Sequence, residues 1–249
     1  MAEPYRLNRW LVYTEDSVPS TQIWLRERIT KLSSRAVVIA RVQTSGRGRM
    51  GKHWESPPGG LYFSFLLKPS PPAAHASCVS LFAALVLTQL LRKQGIQALV
   101  KWPNDVIVDG KKIAGLIAEA GSFPESWFVL GIGVNLTEPP FVPDRKFLPA
   151  GAWSEFGEPP EAAELLKQFL FKFDSSWTGE EESPINDVLE ELNGVLWRKG
   201  EKVYLSGANE SFSGIVTGID SDGSLVLLTD SGTQRFNSGE VTAVPEERR

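Results

Sequence analysis

The sequence predicts an α+β fold: a mixed, mostly antiparallel central sheet with helices, followed by a small C-terminal β-barrel. Three observations predict it. Apolar, β-branched runs recur through the first 136 residues and include a tight Asp109-Gly110 turn, the kind that joins antiparallel strands. Two longer segments, 74–94 and 161–177, carry apolar residues at helical spacing. From Gly200 onward the chain is short β segments split by Gly, Asp and Ser. A chain of 249 residues can bury a substantial core, and the expected division is 1–196 for the large domain and 197–249 for the barrel.

Taken in order, WLVY at 10–13 is a strand. Ser20 and Thr21 then cap a helix whose Leu25, Ile29 and Leu32 recur at i, i+4, i+7. AVVIARV at 36–42 and LYFSFLL at 61–67 are strands joined by a glycine-rich loop. The helix at 74–94 places Phe82, Leu85, Val86 and Leu90 on one face, includes Cys78, and stops at Gly95. ALVKW at 98–102, VIV at 106–108, KKIAGLIAEA at 111–120 and WFVLGIGVNL at 127–136 complete the sheet. A proline-containing loop, 141–151, leads to a helix with Leu166, Phe169, Leu170, Phe173 and Trp177 on one stripe, and a further helix spans 184–193. The barrel strands are KVYL, SGIVTGI, SLVLL and TQRF, with Asp222-Gly223 as a turn, and the acidic run 179–183 is a solvated loop.

Composition removes several function classes. The net charge of −4 and pI of about 5.4 disfavour a nucleic-acid coat, so any polyanion must be met by a local patch. A single cysteine, Cys78, excludes an intrachain disulfide, and two histidines, His53 and His75, make no metal-ligand cluster. No run approaches the length of an apolar membrane span, and the N-terminus lacks the apolar core of a secretion signal. The expected setting is the cytoplasm, without a membrane partner.

Against that acidic background the segment VQTSGRGRMGKHWESPPGG is cationic. Its spacing is not a dinucleotide fingerprint, because a strand and not a helix follows it. Nor is it the GxxxxGK[ST] phosphate loop, since His53 stands where Ser or Thr is required. What remains is an anion clamp: unobstructed backbone N–H groups, with Arg47, Arg49 and Lys52 supplying charge.

A second cluster, KWPNDVIVDGKKIAG at 101–115, folds back at Asp109-Gly110 so that Lys112 faces the same side as Lys101. Two lysines and the Asn104 amide then line one pocket. GIGVNL at 131–136 offers glycines where a ligand can approach closely, with Asn135 as a polar end group.

With these motifs in view, the sequence resembles the biotin protein ligases, also called biotin–[acetyl-CoA-carboxylase] ligases. The resemblance rests on Ser20-Thr21, QTSGRGRMG at 43–51, Trp54, KWPND at 101–105, KIAG at 112–115 and GIGVN at 131–135, in the family's order. It continues into the C-terminal barrel, which it identifies as SH3-like, and it implies a class II synthetase-like biotin/lipoate ligase fold. The implied reaction condenses biotin with ATP, aided by Mg2+, to biotinyl-5′-AMP, and then passes biotin to a lysine of a biotin carboxyl carrier protein or domain.

By this resemblance Lys112, Arg47 and Arg49 are the catalytic residues. Biotin is held by Ser20, Thr21, Gln22, Gln43, Gly46, Arg47, Gly48, Arg49, Trp54, Lys112 and Gly115. ATP is met by Arg49, Lys52, Trp54, Lys101, Asn104, Lys112 and Asn135, and no protein metal site is implied. Met50 departs from the family pattern, where a basic residue is common, and so does Gln22, where Asn commonly follows Ser-Thr. Only 19 residues precede Ser20, so the expectation is a monofunctional form that binds no specific DNA; a homodimer stays open.

The free glycine-rich loop is expected to be mobile and to order over its ligand. A lipoate or octanoate ligase of the same superfold is the nearest alternative, and it is expected to lack the GRGRxG loop. A nucleic-acid or peptide-binding role for the barrel is disfavoured, because 200–244 contains only Lys202 and Arg235 as cations.

Overall fold

The apolar runs of the first 134 residues pair into one sheet. A computed structural model describes residues 3–68, 76–123, 125–141, 148–177, 185–207 and 210–244 of the chain. His75, the acidic run 179–183 and most of the 141–151 loop lie outside the described residues. The strands of the large sheet are β1 (Tyr5–Leu7), β2 (Trp10–Val18), β3 (Ala36–Gln43), β4 (Leu61–Leu67), β5 (Ala98–Lys101), β6 (Asp105–Val108), β7 (Lys111–Gly121) and β8 (Trp127–Val134). Their order is β1-β2-β3-β4-β8-β7-β6-β5. Only β2 and β3 run parallel; every other neighbouring pair is antiparallel.

Helix α1 (Thr21–Arg26) supplies the crossover between the parallel pair, α2 (Ala76–Lys93) follows β4, and α3 (Ala162–Ser176) and α4 (Leu189–Gly194) follow β8. The first helix is shorter than its apolar spacing suggests. Beyond Arg26 the chain tightens into i→i+3 turns, Arg28 N–H to Leu25 and Lys31 N–H to Arg28, yet Leu25 and Ile29 remain buried. Ser20 stands at the N-cap position, but its side chain makes no capping bond, which corrects its sequence-based assignment as a cap. The segment read as a helix at 184–193 begins as a 3-10 turn, Asn186–Val188, before α4.

Strand β4 is buried along its whole length, so its alternate side chains fill two different layers. Phe63 and Phe65 pack edge-on against Phe169 and Phe173 of α3, with ring centroids 5.4 and 5.1 Å apart. On the opposite face Leu66 joins Val38 and Val129 beneath Trp24 and Leu25 of α1. That second face carries the site. There β8 has no side chain at Gly131 or Gly133, and their ladder partners are small on at least one side: Ser64 on β4 opposite Gly131, and Gly115 on β7 opposite Gly133. The pattern of glycines therefore leaves a trough in an otherwise filled sheet.

The C-terminal strands β9 (Lys202–Ser206), β10 (Ser211–Ile219), β11 (Leu225–Thr229), β12 (Gly232–Phe236) and β13 (Glu240–Ala243) form a five-stranded antiparallel sheet ordered β12-β11-β10-β9-β13. Its inward residues Val203, Leu205, Val216, Leu225 and Leu227 belong to the same apolar cluster as α2 and α3. Polar contacts reinforce that join. Trp102 donates its Nε1–H to the Gly223 carbonyl at 2.9 Å, and the Asn193 amide bridges Ile219 N–H and C=O at 2.7 and 3.0 Å.

Candidate active site

A cleft of about 410 Å³ lies over the glycine trough, between α1, the glycine-rich loop, the β5–β6 connection and the start of β13. It brings together every sequence-predicted site residue except one. Ser20, Thr21, Gln22, Gln43, Arg47, Gly48, Arg49, Lys52, Trp54, Lys101, Asn104, Lys112, Gly115 and Asn135 all line it. Gly46 does not. Its role is packing: a Cβ there would lie 2.3 Å from the Trp54 carbonyl oxygen, so only glycine allows the two loop arms to meet.

The loop folds as a small hairpin. Trp54 N–H bonds to Gly46 C=O and Gly48 N–H to Lys52 C=O, at 3.0 and 2.7 Å. Met50 and Gly51 turn the chain with positive φ, 56° and 74°, and Met50 is exposed at the tip. Acids contributed by distant strands meet the cations of the loop. Arg47 pairs with Glu119 of β7 at 2.8 Å, and Lys52 pairs with Glu240 of β13 at 2.7 Å. Arg49 turns inward, its Nη1 3.4 Å from the Gly239 carbonyl. Burial draws its guanidinium below the ordinary arginine value, opposed by Asp105 and Glu240.

Facing the loop, Lys112 Nζ lies 2.6 Å from Asp105 Oδ1, and Lys101 Nζ lies 3.9 Å from Asp105 Oδ2. The Asp109-Gly110 turn does bring the two lysines to one carboxylate. Lys101 is almost wholly buried, and desolvation lowers its pKa despite Asp105. The Asn104 side-chain amide donates to the Leu116 carbonyl and that of Asn135 to the Gly151 carbonyl, at 2.9 Å for the latter, so both fix the cleft's walls.

The other end of the cleft is neutral. Gln22 fills the space over Gly131, donating to the Ile117 carbonyl at 2.9 Å. Thr21 and Gln43 are mutually bonded, with Gln43 Oε1 accepting from Thr21 N–H and Oγ1–H at 2.9 and 3.1 Å. Trp54 lies against Gly115 and Gly133, where a Cβ on Gly133 would sit 2.3 Å from its Nε1. That Nε1–H is buried without a partner among the described residues, and Lys112 Nζ stands 5.3 Å from the Trp54 ring centroid. The cleft is thus split into a neutral hydrogen-bonding half and a cationic half.

Sequence reasoning missed Asp105, Glu119, Gly239 and Glu240. Asp105 stood in plain view between the two lysines of KWPNDVIVDGKK. Nothing local marked Glu240, which lies 188 residues from its partner Lys52.

Residues 14–135 match the model of the biotin/lipoate A/B protein ligase family, and residues 200–242 match that of the biotin protein ligase C terminal domain. Biotin–[acetyl-CoA-carboxylase] ligase of Paracoccus denitrificans is 33% identical over 226 residues, spanning 84% of this chain and 91% of that protein. The bifunctional ligase/repressor BirA of Escherichia coli K12 is 30% identical over 239 residues, spanning 93% of this chain and 73% of that protein. A solved structure of biotin protein ligase from Aquifex aeolicus in complex with biotin and ATP superposes with a TM-score of 0.80 at 28% identity, covering 93% of this chain and 97% of that one. The large mixed sheet with its antiparallel C-terminal companion is therefore the fold of the biotin and lipoate ligases. Within that class, the chain belongs to the biotin protein ligase family.

Proposed function

We propose that this protein activates biotin with ATP to biotinyl-5′-AMP and transfers the biotinyl group to one lysine of a biotin carrier domain of a biotin-dependent carboxylase. The observation that carries this reading is the division of the cleft. Thr21, Gln43 and the glycine trough suit a neutral ring and its apolar tail, while Arg49, Lys52, Lys101 and Lys112 suit a carboxylate meeting a triphosphate.

In the first step a biotin carboxylate oxygen attacks the α-phosphorus, and the bond to pyrophosphate breaks. Bringing two like charges to about 4 Å costs roughly 4 kcal/mol per pair at an effective dielectric near 20, so fixed cations must offset it. Lys112 is placed for that work. Its ammonium already holds a carboxylate in the cleft, and exchanging Asp105 for the reacting groups keeps it charged and oriented. Arg47 and Arg49 supply planar guanidinium forks for carboxyl and phosphate oxygens. Lys101, Lys52, Asn104 and Asn135 form the nucleotide's side of the cleft.

Mg2+, carried in by ATP, would supply charge neutralisation at the phosphates. Asp105 and Glu240 are the carboxylates nearest the lysines of the cleft, and each is paired with one, so the cation would be held chiefly by the phosphates themselves. In the second step the carrier lysine's amine attacks the carbonyl of the mixed anhydride and AMP leaves. The loop hairpin excludes water from that anhydride until the carrier arrives.

We read residues 1–196 as the catalytic domain and 197–249 as a barrel that completes the cleft through Gly239 and Glu240. We read the enzyme as cytoplasmic, in keeping with its single cysteine, and its net charge of −4 disfavours specific DNA binding. The test is to supply ATP and Mg2+ with either biotin or lipoate and to follow pyrophosphate release. Release that depends on biotin supports the reading. Release with lipoate alone overturns it.

A further inference from the structure

Behind the neutral half of the cleft runs a chain of buried polar groups that the activation chemistry does not use. Ser64, in the centre of β4 and fully buried, lies 2.7 Å from Thr21 Oγ1. Gln43 Nε2 donates to Ser56 Oγ at 2.9 Å, and Ser56 in turn donates to the Trp54 carbonyl at 3.3 Å. Ser64 and Ser56 do not line the cleft, whereas Thr21 and Gln43 do.

The hydrogens in this chain can be assigned by counting donors. Gln43 Oε1 takes the Thr21 N–H, so the amide must face the helix with its oxygen, and it also takes the Thr21 hydroxyl proton. With that proton committed, the Ser64 hydroxyl is the donor in the Ser64–Thr21 contact. At the other end, one Gln43 Nε2–H is spent on Ser56, whose own proton goes to the Trp54 carbonyl. The chain is therefore directional: Ser64 to Thr21 to the Gln43 carbonyl, and the Gln43 amide to Ser56 to the loop backbone. What it leaves for the cleft is one lone pair on Thr21 Oγ1 and one N–H on Gln43 Nε2.

We propose that Ser64 and Ser56 are positioning residues that fix this acceptor–donor pair, making the neutral half of the cleft selective for a cyclic urea. A ring N–H is offered the Thr21 oxygen and the ring carbonyl is offered the Gln43 N–H, with both partners held in a single orientation before the ligand arrives. Without Ser64, the Thr21 oxygen loses the donor that fixes which of its lone pairs faces the cleft. Without Ser56, the Gln43 amide loses one of its restraints and the loop arm at Trp54 loses its tie to the ring site.

The inference rests on the biotin reading, and its test separates the two. Steady-state kinetics of adenylate formation are measured for the parent, Ser64→Ala and Ser56→Ala, with biotin and with desthiobiotin, which keeps the cyclic urea but lacks the sulfur ring. Each variant is expected to raise KM about tenfold for both acids, with kcat and KM for ATP unchanged and an unaltered circular dichroism spectrum. A KM for biotin within twofold of the parent's in Ser64→Ala overturns the assignment. So does a loss shared equally by kcat, biotin and ATP, which marks a general loosening of the fold. Failure of the parent itself to make biotinyl-AMP instead removes the reading on which the chain was assigned.

Discussion

Lys112 Nζ and Asp105 Oδ1 are 2.6 Å apart on neighbouring antiparallel strands, and this ion pair holds the central cation of the cleft in place. The two charges offset each other. Asp105 also lies within 3.9 Å of Lys101, so one carboxylate is shared by two lysines that approach from different strands, and the trio keeps one net positive charge.

In the proposed reaction, Lys112→Ala removes the charge that would meet the phosphate as it gains a fifth oxygen. Adenylate formation is expected to fall on the order of 10² to 10³ fold, the usual effect of losing one preorganised donor. Rapid-quench measurement of biotinyl-AMP checks this, with the near-ultraviolet spectrum as a control for folding. A parental rate in the variant would remove Lys112 from the mechanism.

Lys101 is held charged in a buried position at a cost, since desolvation lowers its pKa from the ordinary 10.5. In the window between its lowered folded value and 10.5, the unfolded chain binds more protons, so this lysine's destabilising contribution fades as pH rises through that window. Lys101→Met is expected to melt higher than the parent at pH 7, with the gap narrowing on the alkaline side as pH approaches 10.5. Nucleotide affinity should fall in the same variant. A gap in melting temperature that widens with pH would contradict the assignment.

Arg49 joins the loop to the C-terminal sheet through Gly239 while standing among the cleft cations. Arg49→Ala deletes one charge-assisted clamp, worth about 1.5 to 3 kcal/mol. The variant should still make the adenylate but release it roughly ten- to a hundred-fold faster. Stopped-flow release, together with a streptavidin blot for stray labelling of other proteins, reads this out. An unchanged off-rate would leave Arg49 with no part in holding the adenylate.

Trp102 ties the β5–β6 connection to the C-terminal sheet through a buried hydrogen bond to Gly223. Trp102→Phe leaves that carbonyl unpaired, at a cost of about 1 to 3 kcal/mol, or a fall in Tm of several degrees for a chain of this size. Differential scanning calorimetry checks it. A Tm equal to the parent's would show that the two sheets do not depend on this contact.

Much of the site was legible because its chemistry is local in sequence. The loop cations Arg47, Arg49 and Lys52 fall within six residues, and the Asp109-Gly110 turn alone brings Lys112 back toward Lys101. The glycines of β8 announce a close approach, and they do floor the cleft. What stayed hidden depends on ladder register and on long-range contacts. Glu119 meets Arg47 only because β7 runs eleven residues past the hairpin turn, and Ser64 reads as one more strand residue until α1 lies across it. The short α1 was misread for a similar reason: the apolar spacing of Leu25 and Ile29 records burial, and tight turns satisfy it as well as a helix does.

The measurement that bears most directly on the central claim is a two-stage assay on the purified protein. It is first incubated with biotin, ATP and Mg2+, and the product is identified by mass spectrometry. An apo carrier domain is then added after ATP has been removed. Biotinyl-AMP and pyrophosphate are expected in the first stage, and one biotinylated carrier lysine with AMP released in the second. No adenylate with biotin, or an adenylate formed only with lipoate or octanoate, would contradict it.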